Sequence, residues 1–326
     1  MKILVVHTGG TISCKTENGL LVPHGDITPI LSKLSKEFEG VRFSHRHLCS
    51  ILSETLNGKR LTKIVKCIKK AVLSEKYDGI IVTHGSDTAV YTAAALSYVL
   101  GISSLPCVLV CADLPLTDPN SSGHANLRAA VSVISDGNAR GVFAVYPLDN
   151  GEVGVHRGAR LIQQLPYESA FSSAAGAFYG TANDGKLIKT ASYSEANDSF
   201  RFENAFASSL CPIAFIAVHP AMIYPAIGKR TKAVILCPYH SGTLDTESTE
   251  TKRFAETCKK RGIPVYVSGC GANADYETMD EYPRLGFFRL PPCSSPNAML
   301  IKLWLLYSQN ELDPEKYVFE PLGGDL

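Results

Sequence analysis

The sequence has almost no net charge: 32 basic residues stand against 31 acidic ones, a formal balance of +1. A broad nucleic-acid surface, which draws its affinity from clustered lysine and arginine, is therefore not expected. No apolar run approaches the ~20 residues that span a bilayer. The first residues form a short apolar run and a Gly pair, not a basic n-region with an h-region and cleavage site. Neither membrane insertion nor secretion is expected. The ten cysteines are scattered and none forms a C-x-x-C pair, so neither a zinc ribbon nor a redox dithiol is signalled. Cys107, Cys111 and Cys237 fall in apolar runs, where a free thiol acts as a small hydrophobe. A reduced, cytoplasmic protein is the expectation.

What is present is a large apolar fraction. With 45% hydrophobic and 19% charged residues over a length of 326, a sizeable core and about two domains are expected. Residues 2–6, 79–83 and 106–111 are short, unbroken apolar runs of the kind that suits parallel strands buried on both faces. Between them, Leu61, Ile64, Val65, Ile68 and Val72 recur at helical spacing over 58–74. Residues 88–100 read as a second helix closed by Gly101, and 126–135 as a third. Alternating strands and helices imply right-handed crossovers and an α/β fold: a larger, doubly wound N-terminal domain with a mainly parallel sheet. Residues 191–210 are Ser-, Asn- and Ala-rich and read as a linker between a domain at 1–190 and one at 211–326. In the latter, strand-like runs at 213–218, 233–237 and 264–268 with helices at 247–261 and 295–308 give a smaller α/β unit.

Open α/β sheets bind ligands beyond the carboxyl ends of their strands. The first exit reads His7-Thr8-Gly9-Gly10-Thr11-Ile12-Ser13, two glycines flanked by two threonine hydroxyls. It lacks the dinucleotide fingerprint G-x-G-x-x-G, and an ordinary strand–loop turn is the plainer alternative. The second exit, Thr83-His84-Gly85-Ser86-Asp87-Thr88, fails the serine-hydrolase elbow because His and Thr stand where glycines are needed. Its Ser-Asp-Thr run also suits a helix cap. Hydroxyls at two neighbouring exits with one carboxylate fit acyl transfer at a small amide: a hydroxyl attacks and backbone N–H groups hold the oxyanion.

These two motifs, in this order, resemble those of the bacterial-type L-asparaginase (asparaginase/glutaminase) family. Weaker support comes from Ile51-Leu52-Ser53-Glu54, Asn126 and Lys302-Leu303-Trp304-Leu305-Leu306. The resemblance implies that Thr11 is the nucleophile and that Ser86 and Asp87 form the second polar pair of the site. By the same resemblance Ser53 and Glu54 grip the substrate's α-carboxylate and α-amino groups, with Gly85 beside them and Asp87 also facing the amino group. It further implies hydrolysis of the asparagine, sometimes glutamine, side-chain amide through an acyl-enzyme, with no metal or cofactor. A homo-oligomer, dimer or tetramer, is implied too, a neighbour's smaller domain closing each site.

Departures accompany the resemblance. Ser86 replaces a threonine and loses the methyl that restricts its rotamer. Leu20 occupies the place of the family's flexible-loop tyrosine, and Gln163 that of its lysine. Glutamine can orient a water or Ser86 but moves no proton near neutral pH. Thr243 stands where an asparagine faces the neighbouring site, and His240 beside it is a candidate for the missing proton transfer, or part of a turn. His84 is expected to orient its loop rather than ionise. His45 and His47 share one strand face, a spacing that can bind metal, but with no third ligand nearby a solvated face is the expectation. Arg157 and Arg160 are read either as binding a carboxylate or, the more common case, as solvated positions at a strand end, Lys66–Lys70 as an exposed helix face, and Tyr276 and Glu277 as either near a site or on a surface loop. Three readings follow: an L-asparaginase; an amidohydrolase of the same fold acting on another small or derivatised amino-acid amide; and an amino-acid-binding or regulatory protein without catalysis.

Overall fold

The computed structural model describes residues 1–23, 27–148, 150–165, 170–183, 185–270 and 276–326. Strand β1 (Lys2–Gly9) leads through a 3-10 turn at Thr11–Ser13 into a hairpin of β2 (Cys14–Glu17) and β3 (Leu20–Pro23). There follow α1 (Thr28–Glu37), β4 (Arg42–Ile51), α2 (Gly58–Val72), β5 (Gly79–Thr83), α3 (Ser86–Leu100), β6 (Cys107–Val110), α4 (Gly123–Ser135) and β7 (Val142–Pro147). The pairs β4–β1, β1–β5, β5–β6 and β6–β7 are all parallel. Side-chain alternation then sorts each strand onto two cores. Leu4, Val6, Ile80 and Val82 face α2 and α3, whereas Ile3, Val5 and Ile81 face α1 and α4. The doubly wound expectation holds, and the carboxyl ends of β1, β5, β6 and β7 lie along one rim.

Beyond β7 the sheet turns antiparallel. It is completed by β8 (Val153–Arg157), β11 (Gly180–Asn183) and β12 (Lys186–Lys189), giving eight strands in the order β12-β11-β8-β7-β6-β5-β1-β4. The short strands β9 (Leu161–Ile162) and β10 (Ser172–Ser173) pair with each other. Residues 190–212 carry no helix or strand, yet Phe202 and Phe206 are buried and Phe206 lies 4.6 Å, ring to ring, from Trp304.

A second, four-stranded parallel sheet holds β13 (Ile213–Ala217), β14 (Ala233–Cys237), β15 (Val265–Val267) and β16 (Phe287–Arg289). One face packs on α5 (Thr249–Lys260), whose Ser248 side chain caps the helix by accepting from the Thr251 amide. The short helices α6 (Glu277–Asp280) and α7 (Tyr282–Leu285) add Met279 and Tyr282 to that core. The other face, through Ile213, Ala233, Ile235 and Tyr266, joins the α2–α3 core by way of α8 (Pro296–Leu306). Lys302 of α8 is wholly buried, with its Nζ 2.7 Å from Asp325 and 2.6 Å from the Glu320 carbonyl. Burial pushes the Asp325 carboxyl upward while Lys302 pulls it down.

Two arginines depart from expectation. Arg157 and Arg160 are buried, not solvated. The carboxylate that Arg157 binds is the chain's own Glu195, at 2.7 Å through Nε, and its guanidinium lies 4.4 Å over the Phe143 ring. Arg160 donates to the Gly324 carbonyl at 2.8 Å. A buried cation needs such partners, since an unpaired one would bear its full desolvation cost. Lys69 is likewise not idle, donating to the Glu203 carbonyl at 3.0 Å. His45 and His47 are exposed on β4, as expected.

Candidate active site

Strand β1 runs further than its apolar pattern suggests, carrying His7, Thr8 and Gly9 before the chain turns, with a bulge that shifts its register against β4 between His7 and Gly9. Gly9 has φ +114° and Gly10 φ +82°, backbone settings open to glycine at little cost. Space imposes the same choice: a Cβ on Gly10 would stand 2.3 Å from the Gly85 amide nitrogen. The first and second strand exits therefore touch backbone to backbone. The Gly10 N–H donates to the Ile51 carbonyl at 3.1 Å, which draws in the end of β4. The loop after β6 closes the ring, as the Leu116 N–H donates to the Ile12 carbonyl at 3.3 Å.

Four exits thus converge on one turn, and the hydroxyls there have different fates. Thr8 Oγ1 donates to the Thr83 carbonyl at 2.6 Å and is consumed in joining β1 to β5. Thr88 Oγ1 donates to the Ser53 carbonyl at 3.0 Å. Thr11, half-buried in the 3-10 turn, makes no side-chain hydrogen bond among the described residues. Ser53 is buried, and its Oγ donates across 3.4 Å to Asp87 Oδ2. A Cβ on Gly85 would come within 2.5 Å of Ser53 Oγ. Gly10, Ser53, Gly85 and Asp87 accordingly form one contiguous group with Thr11 adjoining it. Glu54, next to Ser53, is exposed.

The helix-cap alternative for the second exit does not account for its side chains. Helix α3 begins at Ser86 with Gly85 as N-cap, and no side chain caps it. Ser86 and Asp87 lie in the first turn, where a carboxylate is favoured by the helix dipole. His84 is fully buried and both ring nitrogens are engaged, Nδ1 with the Gly85 carbonyl and Nε2 with Thr92 Oγ1, each at 2.9 Å. A carbonyl only accepts, so Nδ1 carries the proton and Thr92 donates to Nε2. Burial lowers the His84 pKa, against the raising effect of the Gly85 carbonyl, so the ring is neutral and holds the loop.

At the third exit, sequence reading took Asn126 only as weak support for the resemblance and Cys111 only as a buried strand thiol, and assigned neither a place at the site. Asn126, in the first turn of α4 and wholly buried, donates to the Cys111 carbonyl at 2.9 Å. Burial, and then the charge of Asp87, raise the Cys111 thiol far above its usual range. Asp113 accepts from the Leu114 and Ser122 amides and the Ser122 hydroxyl, bonds that keep its carboxyl below the ordinary value against the opposing effect of burial. The Tyr146 phenol is pushed up to about 12, mainly by burial, with Cys111 and Asp113 adding to it and a hydrogen bond to Gln164 opposing.

Gln164 hydrogen-bonds Tyr146, and the buried Oε1 of its neighbour Gln163 has no hydrogen-bond partner among the described residues. Gln163 lines a cavity of about 690 Å³ with Leu148, Ile162, Leu165 and Phe171. Thr243 is not joined to the group. It lies in the turn after β14, its hydroxyl 2.8 Å from Ser241 Oγ, with His240 exposed beside it. Tyr276 and Glu277 are exposed. Among the described residues, no three His, Cys, Asp or Glu side chains cluster as a metal site, and no helix is long and apolar enough to cross a membrane.

Comparison with known proteins agrees with this architecture. An L-asparaginase from Thermococcus kodakarensis is 36% identical over 139 residues, 42% of this chain and 42% of that protein. The D polypeptide of the glutamyl-tRNA(Gln) amidotransferase from Methanopyrus kandleri is 31% identical over 49% of this chain and 36% of its own length. The matched regions thus span less than half of these relatives. The corresponding amidotransferase polypeptide from Methanosarcina acetivorans aligns with 100% of this chain and 79% of itself at 29% identity. Among solved structures, the thermostable L-asparaginase from Thermococcus kodakarensis superposes with a TM-score of 0.80, covering 100% of this chain and 98% of the other at 23% identity. L-asparaginase I from Vibrio cholerae gives 0.78 over 100% and 98% at 24% identity. The family model described as "Asparaginase, N-terminal" matches residues 2–190. This chain belongs to the asparaginase family.

Proposed function

We propose that this chain is an amidohydrolase that cleaves the side-chain amide of L-asparagine, or of L-glutamine, to the acid and ammonia. Thr11 is the nucleophile in this reading. Its Oγ forms a bond to the amide carbon, the C–N bond breaks, and the nitrogen leaves as ammonia with the hydroxyl proton. Water then cleaves the ester, restoring the hydroxyl and releasing the acid. Ser86 and Asp87 manage polarity beside the reacting group, while Ser53, Glu54 and Gly85 hold the amino-acid end. The observation that carries the reading is the convergence of four strand exits on a turn where Thr8 and Thr88 are spent and the Thr11 hydroxyl, among the described residues, is not.

Gln163 and Thr243 are proposed to line the substrate's far side, Thr243 from a neighbouring copy in a homo-oligomer. A cytoplasmic location fits the unpaired state of the cysteines, all ten of which are free thiols. A second reading, an amidohydrolase for a derivatised amino-acid amide, is favoured by the Gln163 oxygen, without a partner among the described residues, where the family's lysine is expected. Ammonia or amine release measured across asparagine, glutamine and N-substituted amides separates the two. If none is cleaved while aspartate still raises the melting temperature, the site binds without catalysis and the proposal fails.

A further inference from the structure

The four-stranded sheet ends in β13, which pairs on one side only, with β14. At its two ends the Pro212 carbonyl accepts from the Lys232 amide at 2.8 Å and the Val218 amide donates to the Cys237 carbonyl at 3.0 Å. Backbone groups alternate sides along a strand, so Ala214 and Ile216 also point at β14 while Ile213, Phe215 and Ala217 point away from it. Among the described residues the N–H and C=O of Phe215 and Ala217 have no partner, and the Ile213 carbonyl meets only the Cys211 thiol, at 3.9 Å. The side chains leave the edge open too, Phe215 being 41% exposed and Ala217 also exposed. Proteins guard such edges with charges, proline, bulges or a covering segment, because unpaired groups recruit another strand. The other three ends of the two large sheets follow that rule: β4 carries Arg42 and Arg46, β12 carries Lys186 and Lys189, and β16 carries Arg289. Strand β13, Ile213-Ala214-Phe215-Ile216-Ala217, has no charge, no proline and no bulge against β14.

The open groups fit one occupant. Residues 213, 215 and 217 are symmetric about Phe215, so a second copy turned by a two-fold axis there matches the edge group for group. The two copies of Phe215 exchange both N–H···O bonds, and Ile213 of each copy does the same with Ala217 of the other. The Phe215 side chains then lie on one face, their Cα atoms about 5.5 Å apart, where each ring covers the other. No charge on either strand opposes the approach. We propose that β13 is a self-pairing edge, at which two copies of this chain join their four-stranded sheets by an antiparallel seam. The homo-oligomer proposed above gains a defined surface from it, and the pairing needs nothing of the Thr11 chemistry.

The test reads amide hydrogen exchange at single residues together with solution mass, over a range of protein concentration, for the wild type and a Phe215→Lys/Ala217→Lys variant. Both substitutions fall on exposed side chains, and far-UV circular dichroism checks that the variant is folded. The expected result is that the Phe215 and Ala217 amides of the wild type slow by about tenfold or more as copies associate, while Ala214 and Ile216 are protected throughout. The variant loses that protection and half the wild-type mass. Free exchange at Phe215 and Ala217 overturns the inference, whether the protein is monomeric or associates through another surface. A variant that keeps the wild-type mass overturns it as well. Slow exchange in a protein of monomer mass does the same, since a segment of the same chain then covers the edge. A monomer whose two amides slow only when a synthetic peptide of residues 212–218 is added assigns the edge to an extended peptide instead. Ammonia release is read separately, so each of these outcomes leaves the proposed function standing.

Discussion

Gly10 and Gly85 meet so closely that a methyl on the former would stand 2.3 Å from the amide nitrogen of the latter. This approach joins the two sequence motifs into one place, and the side chains around it inherit their positions from it.

Gly85 offers a direct probe of the junction. Its φ of −81° is open to any residue, so Gly85→Ala strains no backbone, but the new Cβ would meet Ser53 Oγ at 2.5 Å. Overpacking of this kind costs about 1–3 kcal/mol of stability. The expected outcome is a folded protein whose KM rises on the order of tenfold as Ser53 is pushed aside. Steady-state kinetics with unaltered KM would show that Ser53 does not contact the substrate.

Gln163→Lys puts a proton-carrying group at a position whose oxygen is buried and without a partner among the described residues. A placed acid–base group is worth about 10²–10⁴ in rate. The expected outcome is a rise in kcat for asparagine, steepest near neutral pH, seen by continuous ammonia assay. A folded variant with unchanged kcat would mean that position 163 does not serve the reacting atoms.

His156 makes stability depend on acidity. It is buried, with Nδ1 held 2.9 Å from Ser173 Oγ, and desolvation lowers its pKa to about 4. An unfolded histidine titrates near 6.5, so between these two values the unfolded chain binds more protons, and stability rises with pH. As pH falls through that window the loss approaches roughly 3 kcal/mol. Denaturant unfolding at stepped pH is expected to show this fall, reduced in His156→Gln. An equal slope in the variant would assign the effect to other groups.

Lys302 and Asp325 are both wholly buried and paired at 2.7 Å. Removing one partner strands a charge, so Lys302→Met is expected to cost about 3–5 kcal/mol. Adding Asp325→Asn should return much of that, because the second charge is then gone. Urea melts of the single and double variants check this. Equal destabilisation by both would indicate that packing, rather than charge, ties α8 to the chain's last turn.

The parallel half of the large sheet was legible because its strands are buried on both faces and read as unbroken apolar runs. Strand β8 was not, since Val153-Gly154-Val155-His156-Arg157 hides a fully buried strand behind two polar side chains. Arg157 sits there because Glu195, far along the chain, is waiting for it. The same holds at the site. Glycines and hydroxyls at the first two exits announced themselves, whereas Asn126 and Cys111 act through a hydrogen bond between a buried amide and a backbone carbonyl. That pairing leaves no motif. Helix α3 also begins at Ser86, two residues before its apolar pattern, because the first turn faces the strand exits and not the core.

The central claim is that the Thr11 hydroxyl carries the acyl group. Rapid quenching of turnover with asparagine, followed by peptide mass spectrometry, tests it most directly. The expected result is an aspartyl ester on the peptide bearing Thr11, absent from a folded Thr11→Ala protein that no longer releases ammonia. An ester on Ser86 instead, or continued turnover by Thr11→Ala, would contradict the account.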